Sequence, residues 1–372
     1  MSPVYALSFH ADYRCQHSGV CCHSDWDVPV ELNVYRTLDE VIRSGALKPA
    51  APPAEDDSPL ITGDDLPEDA AAMLARTHDG ACVFFHRDTR LCVVHRDHGE
   101  EMLPATCRHF PRLAVHDARG TFMSLTHYCP TAAGMLFRNV PVEIVESPPA
   151  FPPADYEGLE VEPDAWPPLL HPRMLMDLSG YGAWERHMVA RCANLDASPE
   201  SVLATLERDA RELRRFVANG ESLAAPIATL PRDVVAAPPH ADLSASLADR
   251  AGVVAAMPDD LKPAADEAGL ERAYAEQVAP RWSDWHAPLN RYLAAKAFAN
   301  WTAYQGRGIL AIVRGLEVAL ALVRVEAARQ CRDAGRPLDQ PLLLEAIRAA
   351  DFALNHLAVG EELAEGWSAA EL

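Results

Sequence analysis

Apolar residues in the first third of the chain switch between helical and extended spacing. Val34, Tyr35, Leu38, Val41 and Ile42 recur every three or four residues, which predicts a helix over 31–44 closed by Gly45. The short apolar runs 81–85 and 91–95 flank Arg87-Asp88-Thr89-Arg90 and predict a hairpin. A second hairpin is predicted from 113–115 and 121–125 around Asp117-Ala118-Arg119-Gly120, and helical spacing returns over 131–139. Beyond residue 172 the pattern is helical. Ser198-Pro199 supplies a cap and first position for a helix whose face is Val202, Leu203, Leu206, Ala210, Leu213, Phe216 and Val217, ending before Gly220. Residues 309–328 are apolar on most sides, as suits a helix central to a bundle, and 342–357 predicts another helix. The longest apolar stretch, 309–325, is interrupted by Arg314, Glu317 and Arg324 and is not a membrane span.

Proline divides the chain more sharply than hydropathy does. Nine prolines fall between Pro141 and Pro172, including three Pro-Pro pairs, a density that no helix or central strand tolerates. The expected organisation is therefore α+β. A small, irregular cysteine-rich metal-binding domain with short hairpins (1–140) is followed by a Pro-rich linker (141–172) and a mainly α-helical domain (173–372). Residues 49–67, with Glu55, Asp56, Asp57, Asp64 and Asp65, read as an acidic surface loop.

The length of 372 residues suits two or three domains, and 49% hydrophobic with 23% charged residues is an ordinary globular composition. A formal charge of −21 argues against nucleic acid and anionic membranes as partners, because both need clustered lysine and arginine. Only Lys48, Lys262 and Lys296 are lysines, an arginine bias ascribed to genomic base composition. The opening residues lack a basic start and an apolar run, so a cytoplasmic location with reduced cysteines is expected.

Cysteine position then becomes the informative feature. Seven of the nine cysteines lie within the first 129 residues. They occur in Cys15-Gln-His-Ser-Gly-Val-Cys21-Cys22, Cys82-Val-Phe-Phe-His, Leu91-Cys92-Val-Val-His, Pro104-Ala-Thr-Cys107-Arg-His-Phe-Pro111 and Cys129-Pro130. Clustered cysteines in a reducing compartment point to metal or catalysis, and thiolates suit zinc or iron–sulfur clusters. The candidate ligands are Cys15, Cys21, Cys22, Cys82, Cys92, Cys107 and Cys129, more than one four-coordinate site needs. The Cys-x2-Cys knuckle of common zinc folds and the Cys-x3-Cys-x2-Cys of radical enzymes are both missing from the sequence. His17, His23, His86, His95 and His109 sit beside cysteines and read as solvated or supporting residues, while Arg108 reads equally as a donor to cluster sulfurs or as a plain surface ion pair. Cys192 and Cys331, isolated in helical segments, read as packing residues.

These residues resemble the YkgJ-like cysteine-cluster family of zinc- or iron-chelating proteins. The family hallmark is Cys-x2-Cys-Gly-x-Cys-Cys, then Cys-x-Phe-Leu-like and Cys-x-Ile-Tyr-like segments and a Cys-Arg-x-Phe-Pro box. Cys15, Gly19, Cys21 and Cys22 fit the first element, Cys82 to Phe85 the second, Cys92 to His95 the third, and Cys107 to Pro111 the last. Ser18 stands at the second cysteine position, so that ligand is missing. Trp26-Asp-Val-Pro-Val, Ser124 to Pro130 and Ala350-Ala-Asp-Phe-Ala-Leu-Asn-His356 resemble the flagellin lysine-N-methylase branch in particular. The resemblance is specific over 13–130 and general over 160–360. It implies a 4Fe-4S iron–sulfur protein that transfers a methyl group from S-adenosylmethionine to lysines of a flagellin-like protein substrate.

No Rossmann loop for that cofactor is legible: Gly306-Arg-Gly308 lacks a third glycine and a preceding strand. His95-Arg96-Asp97 has none of the companion motifs of a kinase, and Walker, His-Glu-x-x-His and nucleophile-elbow motifs are missing. Two other function classes fit the same residues. One is a non-catalytic zinc or iron module with a partner-binding helical domain; the other is a redox or iron-handling protein.

Overall fold

A computed structural model describes all residues except 1, 25, 55–57, 64, 65, 68, 155, 162–166, 218, 219, 239, 265 and 370–372. The fold is mixed α and β, with several small sheets. By contacts the chain divides into two compact units, and the division is discontinuous: Arg14–Arg112 form one, Met1–Tyr13 with Leu113–Leu372 the other. This differs from the boundaries expected at 140 and 172. The amino-terminal strand β1 (Val4–Leu7) belongs to the larger unit, and the chain builds the smaller unit before returning at Leu113.

The smaller unit runs α1 (Val20–His23), β2 (Pro29–Glu31), α2 (Leu32–Arg43), β3 (Leu60–Ile61), β4 (Ala70–Leu74), β5 (Phe85–His86), β6 (Leu91–Cys92), α3 (Val93–His98) and α4 (Ala105–His109). The antiparallel sheet β2-β4-β3 packs its apolar face with Val34 and Leu38 of α2, whose stripe the sequence predicted. Gly45, at φ 74, follows that helix in the left-handed region where glycine carries no Cβ penalty. The expected hairpin forms as β5-β6, but its second strand stops at Cys92 and residues through His98 coil into α3. In the acidic loop, residues 55–57, 64 and 65 lie outside the described residues, while Leu60–Ile61 forms β3.

In the larger unit, β7 (Arg112–Asp117) and β8 (Gly120–Leu125) form the second predicted hairpin, followed by α5 (Pro130–Met135). The segment expected as a linker instead supplies β9 (Ile144–Glu146), β10 (Gly158–Glu160), β11 (Leu169–His171) and, just beyond, β12 (Met174–Leu175). The sheet order is β10-β7-β8-β1-β9, with β1 parallel to β8. The physical reason is positional. Proline-free tripeptides between the prolines suffice for edge strands, and β9 and β10 are the two edges.

Helices complete this unit: α6 (Leu178–Cys192), α7 (Pro199–Leu213), α8 (Ala224–Ala228), α9 (Ser244–Ala255), α10 (Leu270–Ala273), α11 (His286–Ala297), α12 (Ile309–Ala334), α13 (Gln340–Phe352) and α14 (Gly360–Ala369). The 26-residue α12 is buried along most of its length and packs against α7, α9, α10, α11, α13 and α14, the central position its apolar pattern predicted. Ser198 caps α7 by accepting the amide of Ser201 at 3.2 Å, but the helix ends at Leu213 and leaves Val217 78% exposed. The helix expected over 342–357 breaks into α13 and a π-helical turn, Ala353–Leu357. Cys192 and Cys331 are fully buried among apolar side chains of α6 and α12. Among the described residues no helix is long and apolar enough to cross a membrane.

Candidate metal centre

The smaller unit gathers cysteines from four places in the sequence. Gly19, at φ 78, turns the chain into α1, which carries Cys21 and Cys22. A Cβ at Gly19 would lie 2.6 Å from the Phe85 ring, so the turn needs glycine for both conformation and space. The amide of Cys82 donates to the carbonyl of Cys22 at 2.7 Å, which ties the second cysteine segment to the first. Cys92 pairs with Phe85 in the β5-β6 hairpin and caps α3. Cys107 lies in α4, where Glu31 Oε1 accepts the amide of Ala105 at 2.8 Å.

The resulting thiols interact. Cys22 Sγ is hydrogen-bonded to Cys21 Sγ at 3.9 Å and also to Cys92. Cys82 and Cys107 lie within electrostatic reach of Cys21 and Cys92. The bond to Cys22 lowers the Cys92 thiol to about 7 against burial, with help from the amides of His95 and Val94. A separate bond to Cys22 lowers Cys21, whereas Cys22 is pushed well up by its bonds to both neighbours and by burial. Burial raises Cys82 to about 11 and Cys107 well above an ordinary thiol, and the Arg76 guanidinium opposes both shifts. Arg76, which donates to the Trp26 carbonyl, is a neighbour of the cysteines that spacing alone did not reveal.

Two expected ligands are placed differently. Cys15 is exposed, and its Sγ accepts the amide of His17 at 3.3 Å. Cys129 belongs to the larger unit, where it precedes α5 and lies 3.8 Å from the Tyr13 hydroxyl. Of the neighbouring histidines, His23 meets the Phe85 ring edge-on at 4.5 Å, His86 bonds Thr89, and His17 and His95 lie 5.9 Å apart.

The donor chemistry fits a thiophilic metal: five thiols from four segments, four of them in or against the apolar core of this unit. Tetrahedral zinc at about 2.3 Å from each sulfur sets sulfurs about 3.8 Å apart, close to the 3.9 Å between Cys21 and Cys22. The thiols are nevertheless paired side to side. Among the described residues no three His, Cys, Asp or Glu side chains converge to hold an ion.

A second polar centre lies wholly within the larger unit. Asp351, fully buried on α13, accepts from Tyr292 Oη at 2.9 Å, from Lys296 Nζ and from the His127 amide at 2.5 Å. His127 Nδ1 stands 3.4 Å from Asp351, and its Nε2 faces His10 Nε2 at 3.3 Å. Burial pushes the Asp351 carboxyl up, but Lys296 and His127 overcome it and hold it well below the usual carboxylate range. The sequence signal for this centre was a charged residue on an otherwise apolar helix face.

No protein-family model, no curated protein and no solved structure matches the chain.

Proposed function

We propose that residues 14–112 form a thiolate metal centre built on Cys21, Cys22, Cys82, Cys92 and Cys107. On this reading the whole chain is an iron–sulfur, S-adenosylmethionine-dependent protein-lysine N-methyltransferase. The observation that carries the metal reading is the shared bonding of Cys22 to Cys21 and Cys92, which brings thiols from α1 and the hairpin together in an apolar shell. Packing alone gives no reason for buried thiols to interact at this density. The methyl-transfer reading rests on the sequence resemblance over 13–130 and over Ser124 to Pro130 and Ala350 to His356. A bound cluster would supply electron-transfer or Lewis-acid chemistry, and Arg76 would offset thiolate charge beside it.

A structural zinc is the second reading, favoured by the 3.9 Å spacing of Cys21 and Cys22. In that case the helical unit serves a protein partner. Anaerobic purification with metal and acid-labile sulfide analysis, followed by titration with S-adenosylmethionine, separates the two. Iron with sulfide and saturable cofactor binding is the expected result. A colourless, zinc-loaded protein overturns the cluster, and iron without cofactor binding overturns the methyltransferase.

A further inference from the structure

The contact between Cys22 and Cys92 joins two distant segments, and the backbone builds it. Phe85 is the cross-strand partner of Cys92 in β5-β6. Its ring fills the space that a Cβ at Gly19 would take, and it meets the His23 ring edge-on with centroids 4.5 Å apart. Gly19 and His23 bracket Cys21 and Cys22, so one ring clamps both ends of α1 onto the hairpin that carries Cys92. The Cys82 amide, donating to the Cys22 carbonyl at 2.7 Å, is a further tie. Cys22 and Cys92 are half-buried, whereas Cys82 is buried.

Two thiols held in contact from different segments are the starting arrangement of a disulfide. The neighbouring pairings are worse placed. Cys21 and Cys22 stand 3.9 Å apart, but they are adjacent, and joining them distorts the planar trans peptide between them. That peptide lies within α1, where the Cys22 amide donates to the Gly19 carbonyl and the Ser24 amide to the Val20 carbonyl, both at 3.0 Å. Cys15 is exposed, and its thiol accepts the His17 amide.

Closure of the Cys22–Cys92 pair has a consequence for metal. It removes two of five donors and leaves Cys21, Cys82 and Cys107. Three thiols are one fewer than tetrahedral zinc or a 4Fe-4S cluster takes from four cysteines. The disulfide and a four-thiolate centre therefore exclude each other.

We propose that Cys22 and Cys92 form a reversible disulfide that empties the metal centre, so that metal occupancy answers to hydroperoxides. The proposal rests on the metal-centre reading and supplies its regulation. One sulfur of the pair, as thiolate, attacks a peroxide oxygen and becomes a sulfenic acid as the O–O bond breaks. The other oxygen leaves as hydroxide and takes up the proton that this thiol had lost. The second sulfur then attacks the first, the S–O bond breaks, and the oxygen leaves with the second thiol's proton as water. Two thiols lose two electrons in all, and one hydrogen peroxide becomes two waters. A small dithiol reverses the step by exchange and is itself oxidised to a disulfide.

Zinc, which has no redox chemistry of its own, is the probe. The full chain, reduced and loaded with zinc, is treated with hydrogen peroxide beside a zinc-indicating dye. Zinc is expected to appear in step with a link between the tryptic peptides 15–36 and 91–96, and fragmentation between Cys21 and Cys22 identifies the partner of Cys92. The oxidised chain binds added zinc about a hundredfold more weakly than the reduced chain, and dithiothreitol restores the affinity. Zinc released without the Cys22–Cys92 link, or zinc retained after the link has formed, overturns the proposal. A reduced chain that holds neither zinc nor iron refutes the metal-centre reading instead. The mass spectrum then decides the disulfide by itself: the link upholds the pair, and peroxide products without it overturn the pair as well.

Discussion

His10 and His127 face each other through Nε2 atoms 3.3 Å apart, and neither ring touches solvent. Burial lowers both imidazoles, and in His10 the neighbouring His127 adds to the effect. Unfolded histidine titrates near 6.5, so below that pH the unfolded chain binds protons that the folded chain refuses. Stability conferred by the pair is therefore complete above about pH 7 and falls as the solution is acidified. The expected slope is up to about 1.4 kcal/mol per pH unit for each ring. Buried carboxyls such as Glu185 and Glu317 are raised and slope the opposite way above pH 4.5. The comparison is thus wild type against H10Q in urea denaturation from pH 7.5 to 5.5. The variant loses about one ring's share of the slope; identical slopes would remove His10 from the account.

Arg324 of α12 donates to Glu200 of α7 at 2.8 Å, and Trp282 Nε1 donates to the same carboxylate at 2.9 Å. Both charges are nearly fully buried. Removing one partner strands the other, so E200L is expected to cost about 3–5 kcal/mol. The double variant E200L/R324M removes both charges and is expected to recover at least half of that loss. Denaturation midpoints report the difference, and a double variant no better than the single one refutes the argument.

Gly19 holds the turn that delivers Cys21 and Cys22. Ala at this position carries a left-handed strain of about 1–2 kcal/mol and drives its Cβ into Phe85. G19A is expected to lower the melting temperature of the smaller unit and, on the proposed metal-centre reading, to reduce metal bound per chain. G19A/F85A recovers the steric part and not the backbone part. Unchanged melting in G19A contradicts the geometry.

Thiol reactivity in metal-free protein separates Cys92 from Cys82. With the Cys92 thiol near 7 and Cys82 near 11, about half of Cys92 is thiolate at neutral pH and almost none of Cys82. Brief iodoacetamide treatment at pH 7, read by mass spectrometry, is expected to label Cys92 before Cys82. Cys22→Ala, which removes the bond that lowers Cys92, slows that labelling.

The amphipathic stripe of α2, both hairpins, the Ser198 cap and the central place of α12 were legible in the sequence because each depends on near neighbours. The extents of elements were less so. The helix expected to reach Val217 ends at Leu213, and the helix expected to reach Leu357 passes into a π-turn, because tertiary packing decides where a helix stops paying attention to its own period. The proline count correctly excluded helix and central strand from 141–172, yet it did not exclude edge strands.

Sequence alone determined that seven cysteines are concentrated early and that an apolar helix lies at the centre of a helical layer. Only the tertiary structure decided that Cys21, Cys22, Cys82, Cys92 and Cys107 share one unit while Cys129 belongs to the other. It also decided that Thr126, Asp351 and His356 meet. Local pattern is written in residues a few positions apart, whereas these meetings join segments far apart in the chain. Sheet pairing and helix packing close such distances, and no short-range periodicity encodes them.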